Sequence, residues 1–129
     1  MVDMSKVVSP VELSELCVEL ADDRQAENIV SLEVSEHGIT DFFVLCTGNS
    51  EPHIKAISDR IGREARKRYN VRPRTVEGDP SSHWMLMDFG VVVVHIMTPS
   101  MREQYQLESL WGDAPKRKAM ETLSKGPTD

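Results

Sequence analysis

Four histidines and two cysteines are the first residues to weigh for chemistry. A metal centre needs His, Cys, Asp or Glu converging at defined spacing. His37, His53, His83 and His95 fall in different segments with no paired spacing. They predict no metal site. His95, inside Val94-His95-Ile96, reads as a partly buried histidine with its hydrogen bonds satisfied. The spacing of Cys17 and Cys46 matches neither a metal nor a redox motif, and two buried, reduced thiols of a cytosolic protein are expected. A serine nucleophile with a histidine base has no elbow motif to support it.

Thr47-Gly48-Asn49-Ser50 ahead of a helix could cradle a phosphate, because a helix N-terminus offers free N–H groups and the positive end of a dipole. The glycine number and spacing fit neither a Walker loop nor a dinucleotide fingerprint. A small-residue turn followed by Ser in a mixed α/β chain also suggests nucleotidyl transfer, which needs paired carboxylates to hold Mg²⁺. The residues that follow are Glu51-Pro52-His53-Ile54-Lys55, and Glu51 alone cannot chelate the metals. Helix capping is the simpler role. A nucleotide-binding or nucleotidyltransferase-like enzyme using the Thr47–Ser50 turn stays as the alternative function.

Binding is better represented than catalysis. Trp and Tyr anchor interfaces because they bury large area at small entropy cost. On a strand through residues 83–89, Trp84, Leu86 and Asp88 share one face, and Met85, Met87 and Phe89 the other. Only one face has to meet helices, so an apolar second face would be a docking surface, and Trp84 reads equally as an interface anchor or as a core residue. Tyr105 and Trp111 are further candidates, with packing at the domain edge as their plainer role.

These residues are positioned by a readable series of elements. Ser9-Pro10-Val11-Glu12 has the form of a capping box with Pro at the first helical position. Leu13, Leu16, Cys17 and Leu20 follow at helical spacing. The Asp22-Asp23 pair opposes the dipole and should end that helix. Strands are expected over 28–34 and 41–47, the second apolar almost throughout and therefore covered on both faces. Glu36-His37-Gly38 reads as the turn between them. A long helix runs from Pro52 to Tyr69 with Ile54, Ile57, Ile61, Ala65 and Tyr69 inward and Arg60, Arg63 and Lys67 outward. Asp59→Arg63 and Glu64→Arg68 are acid-first pairs four residues apart. A short strand over 72–76, a loop over 77–82, and a hairpin of 83–89 with 91–98 turning near Asp88-Phe89-Gly90 complete the sheet. Pro99 opens a short helix, and Leu110-Trp111-Gly112 closes the domain.

The expected order is α-β-β-α-β-β-β-α, giving an α+β class with one mixed sheet of about five strands flanked by helices. Residues 1–8 read as a flexible N-terminus, 9–114 as the domain and 115–129 as a polar tail. The 129 residues are 40% hydrophobic and 28% charged, enough to bury a core. No apolar run reaches the ~18–20 residues of a membrane helix. The first residues resemble neither a secretory signal nor a transit peptide, so a bacterial cytoplasmic location is expected.

The net charge of −6 excludes a uniformly basic nucleic-acid binder. It hides a polarity. Residues 55–74 hold eight Lys/Arg against two Asp/Glu, a local +6, while residues 1–54 carry −9 and residues 75–129 carry −3. This basic cluster, Arg60 to Arg74, is a solvated helix face or a surface for RNA phosphates, an RNA-binding module through Arg60, Arg63 and Lys67 being a third reading.

Four stretches, taken together, resemble the ribosomal silencing factor family, RsfS or Iojap, over residues 9–114. They are Thr40-Asp41-Phe42-Phe43-Val44 through Thr47-Gly48-Asn49-Ser50 to His53 and Ala56; Val76-Glu77-Gly78; Trp84 through Asp88-Phe89-Gly90 to Val93-Val94-His95; and Arg102, Tyr105, Leu107-Glu108 with Leu110-Trp111. The resemblance implies a nucleotidyltransferase-like fold without the catalytic carboxylates, no enzyme activity and no cofactor. It implies binding to the large ribosomal subunit through universal large-subunit ribosomal protein fourteen. The bound factor would block joining of the small subunit sterically and repress translation. It also allows a homodimer, and it leaves direct contact with ribosomal RNA open. Trp84 matches a family tryptophan on the docking surface. Glu77, Leu86 and Asp88 lie on or beside that strand face, where acidic groups could meet a basic ribosomal protein. Tyr105, Leu110 and Trp111 match the C-terminal motif. At the hairpin tip many members carry Tyr and a further Asp, where this chain has Phe89 and Val91, so a hydroxyl and a charge are missing there.

Overall fold

The computed structural model describes residues 8–35, 40–106 and 116–117. Helix α1 spans Pro10–Asp23, followed by strands β1 (Glu27–Glu33) and β2 (Phe42–Thr47) and helix α2 (Glu51–Tyr69). Strand β3 (Thr75–Glu77), a 3₁₀ turn (Pro80–Ser82), strands β4 (Trp84–Asp88) and β5 (Val92–Met97), helix α3 (Pro99–Tyr105) and strand β6 (Lys116–Arg117) complete the order. The expected elements form within a few residues of their anticipated bounds. The short strand sits later than expected, at 75–77, and the turn at Glu36-His37-Gly38 lies outside the described residues.

The capping box at Ser9 is present in both directions: Ser9 Oγ accepts from the Glu12 N–H at 3.1 Å, and Glu12 Oε1 accepts from the Ser9 N–H at 3.1 Å. Helix α1 does end at Asp23, but the acidic end has a use that helix rules alone do not show. Arg60 of α2 donates to the Asp23 carboxylate at 2.9 Å and ties the two helices together.

The sheet runs β3-β4-β5-β2-β1-β6. Only β2 with β5 is parallel; the other neighbours are antiparallel. Those two central strands are buried at every residue, as their unbroken apolar runs require. Helices α1 and α2 cover one face, where Leu13, Cys17 and Leu20 meet Ile54, Ile57 and Ile61 above Val44, Cys46, Val94 and Ile96. Met85, Met87 and Phe89 join this core, so the β4 alternation is as expected. Phe89 is an interior side chain, 8% exposed.

On the opposite face Val30, Leu32, Val34, Phe43, Leu45 and Val93 form a second buried cluster, with Leu86 packed at its margin. Strand β6 was not anticipated. Its two residues pair with Ser31 and Leu32 and bring main chain from the 115–129 stretch into the sheet. A Lys-Arg dipeptide has no apolar alternation by which a strand could be recognised.

Candidate interaction site on the sheet edge

The loop after β3 is built to deliver Trp84. Gly78 has φ +76°, and a Cβ there would fall 2.2 Å from the Trp84 carbonyl oxygen, so only glycine fits. Asp79 caps the 3₁₀ turn: its carboxylate accepts from the Ser81 hydroxyl at 2.7 Å and from the Ser82 N–H at 2.9 Å. These bonds, the Ser81 one first, hold the Asp79 carboxyl below its usual range. The Ser82 hydroxyl approaches the Asp79 carbonyl at 2.8 Å and the Trp84 carbonyl at 3.1 Å. His83 then turns through the left-handed region at φ 69° into β4.

Alternation along β4 leaves Trp84, Leu86 and Asp88 half-buried on the face away from α1 and α2. Glu77 pairs with Leu86 across β3 and β4, so it lies on this same face. Glu77, Gly78, Ser82, Trp84, Leu86 and Met101 line one open groove. Tyr105, 47% exposed, packs its ring against Trp84 with centroids 4.9 Å apart and planes tilted by 49°.

Beneath Trp84 lies His95. The indole N–H donates to His95 Nδ1 at 3.2 Å, and the ring centroids are 6.0 Å apart. Phe43 meets the other side of the imidazole edge-on at 5.2 Å. An indole N–H can only donate, so Nδ1 must accept and the hydrogen of the neutral ring sits on Nε2. His95 is 6% exposed, and among the described residues its Nε2 has no hydrogen-bond partner. The expectation of a satisfied histidine therefore holds for one nitrogen only. Burial first, and the Arg102 charge second, push its pKa down to about 4. At neutral pH the imidazole is an uncharged rest for the tryptophan. Buried Arg102 in turn donates to Thr47 Oγ1 at 2.8 Å, joining α3 to the end of β2.

The expected residues do not all converge. Trp84, Glu77, Leu86 and Tyr105 come together. Asp88 shares the strand face, but its carboxylate is engaged with the Gly90 N–H at 2.7 Å and with Arg74 at 3.4 Å. Leu110 and Trp111 lie outside the described residues. Met101 and Ser82 were not foreseen, because each arrives from a separate element. The alternation Val94-His95-Ile96 was the one available sign that His95 shares the Trp84 face.

The Thr47–Ser50 turn is packed and capped. A Cβ on Gly48 would meet Ile54 Cγ1 at 2.9 Å, so the glycine serves close approach of the turn to the helix. Ser50 Oγ accepts the His53 N–H at 3.2 Å, and His53 Nδ1 accepts the Asn49 N–H at 2.9 Å. The groups a phosphate would use are thus partly committed. Among the described residues no three His, Cys, Asp or Glu side chains are grouped to hold a metal ion. Cys17 and Cys46 are fully buried and unpaired; burial raises both thiols, Cys46 to about 12.

A sheet edge carrying this tryptophan face can be set beside known proteins. The family model "Ribosomal silencing factor during starvation" matches residues 8–128. This chain belongs to the ribosomal silencing factor family. The ribosomal silencing factor RsfS of Halalkalibacterium halodurans is 39% identical over 109 residues, 84% of this chain and 92% of its own. A Mus musculus relative, "Mitochondrial assembly of ribosomal large subunit protein 1", is 32% identical over 103 residues, 75% of this chain and 44% of its own. A crystal structure of a Chromobacterium violaceum protein has a TM-score of 0.77 at 31% identity, covering 81% of this chain and 88% of that one. Membership in the silencing factor family supports a ribosome-associated silencing role. Among the described residues no helix is long and apolar enough to cross a membrane.

Proposed function

We propose that the chain is a non-enzymatic translation repressor of the bacterial cytoplasm that docks on the large ribosomal subunit through the Trp84 face. Universal large-subunit ribosomal protein fourteen is the partner, and joining of the small subunit is blocked sterically. The observation that carries this reading is Trp84: a large aromatic side chain left half-exposed, yet held from below by His95 and from the side by Tyr105. A rigid aromatic anchor beside an apolar groove is the composition of a binding hot spot. Glu77, exposed on the same face, adds the negative charge that suits a basic ribosomal protein. The name of the mouse relative points to the large subunit rather than the small one.

Light scattering of joining subunits tests it. Large subunits preincubated with the protein should fail to associate with small subunits. Trp84→Ala should restore joining and weaken large-subunit binding by ~2 kcal/mol or more. Unimpeded joining with excess folded wild-type protein would reject the reading.

A further inference from the structure

The basic segment divides once its partners are known. Lys55 is held by Asp59 at 2.9 Å, which displaces the expected Asp59–Arg63 pair. Arg60 is held by Asp23, so it belongs to the contact between helices. Arg68 bonds Glu64 at 3.0 Å, and Arg74 approaches Asp88. Arg63, Arg66, Lys67 and Arg72 are exposed, and their side chains make no ion pair or hydrogen bond among the described residues.

Helix electrostatics explain only part of this set. Arg66 and Lys67 occupy the last turn of α2, where cations complement the dipole. Arg63 lies a turn earlier, and Arg72 lies beyond the C-cap at Asn70. Arg63 and Arg66 stand at helical spacing on the wall of a groove of about 470 Å³ between α2 and the β3 edge. Ser58 and Asp59 also line it, the Asp59 charge being offset by Lys55; the rest is apolar, Pro73, Val76, Met85 and Met87, beside a helix that narrows at Gly62. Val76, 49% exposed, faces this groove, whereas Glu77 faces the Trp84 groove on the other side of the sheet. One sheet edge therefore has an apolar and acidic flank and, behind it, an apolar and cationic one.

We infer that the groove between α2 and β3 binds the phosphate backbone of RNA through Arg63 and Arg66, with Lys67 and Arg72, exposed and next in sequence to Arg66 and Pro73 of its lining, extending the cation set. The assignment of that RNA to the large ribosomal subunit rests on the docking reading above. Three of the four free cations are arginines, whose planar forks match phosphate oxygens in pairs. The apolar floor accepts the carbon edge of a ribose beside the phosphates. A chain of net charge −6 gains little from general attraction to a polyanion, so a concentrated cation set is needed to overcome it. A protein seated on ribosomal RNA presents both surfaces at once, one to each flank of this edge.

The test combines salt dependence with mapping. Affinity for large subunits, and for a protein-free RNA duplex of about 20 base pairs, is measured from ~50 to ~200 mM salt. In Arg63→Gln/Arg66→Gln/Arg72→Gln the slope of log K against log salt should be shallower by about 2–3, one unit or slightly less per lost phosphate. Affinity at the lowest salt should fall tenfold or more. A photo-crosslinker on Arg66→Cys should label RNA; Cys17 and Cys46 are buried and escape modification. Unchanged slopes with native circular dichroism, or crosslinks confined to an acidic ribosomal protein, overturn the proposal. Salt-dependent duplex binding lost in the triple variant, together with no large-subunit binding by the wild type, would uphold the groove and reject the docking reading instead.

Discussion

At the scale of single residues, Trp84 and His95 act as one unit. The indole is oriented by its bond to Nδ1, and that bond exists only while Nδ1 carries no proton. The folded pKa of His95, about 4, lies below the ordinary value of 6.5. The unfolded chain therefore binds the proton more readily, and stability rises with pH across that window. The contribution is complete above about 6.5 and is lost as pH falls towards 4, amounting to about 3 kcal/mol. Denaturant unfolding at pH 7 and 4.5 should show this loss, and His95→Gln should flatten it. Glu64, held low first by its bond to Arg68, and Asp79 act at lower pH, fading only below the ordinary carboxylate range. An equal slope in His95→Gln and wild type would assign the acid sensitivity elsewhere. The sequence marked Trp84 because aromatic side chains are rare in this chain. It could not mark its rest, because Trp84 and His95 meet across a β4–β5 register that no local pattern specifies.

Among elements, the 77–83 connection sets where Trp84 stands. Gly78 is its fixed point, with a positive φ and a backbone oxygen where a Cβ would be. Gly78→Ala should lower stability by about 1–3 kcal/mol, the cost of a strained backbone, and weaken large-subunit binding while leaving helix content intact. Urea unfolding paired with subunit binding reads both; native stability in this variant would refute the close approach. Helices and strands themselves were legible, since their apolar periods of 3.6 and 2 are strong signals in α1, α2, β2 and β5. Pairings between elements were not. Asp23 reads locally as an ill-placed helix end until Arg60 arrives from α2. The Asp59–Arg63 pair expected by spacing loses to Lys55, one turn upstream, because acid-first order is worth only tenths of a kcal/mol. Strand β6, two basic residues, had no pattern at all.

Over the whole molecule, charge is arranged around one sheet edge rather than spread evenly. The acidic first third offsets cations of α2, among the described residues Arg60 by Asp23 and Arg68 by Glu19 at 3.7 Å. What is left over is the set on the far side of the helix. Family and fold were legible because motif residues lie at fixed positions along the chain. The groove chemistry was not, because neutralised and free cations are identical in sequence.

The parallel pairing of β2 with β5 also bears on the expected order of assembly. Phe42 aligns with Val92 and Thr47 with Met97, so the centre of the sheet closes a loop of about 50 residues. By contrast β3, β4 and β5 meet through short antiparallel connections within residues 75–97. Loop closure is costly before its contacts repay it, so the local meander should zip first and capture β2 with α2 already folded over it. Pulsed hydrogen exchange during refolding should protect amides of β4 and β5 that pair with each other before those joining β5 to β2. The surface that displays Trp84 would then be among the earliest parts of the chain to take shape, and the seam through the middle of the sheet would close after it.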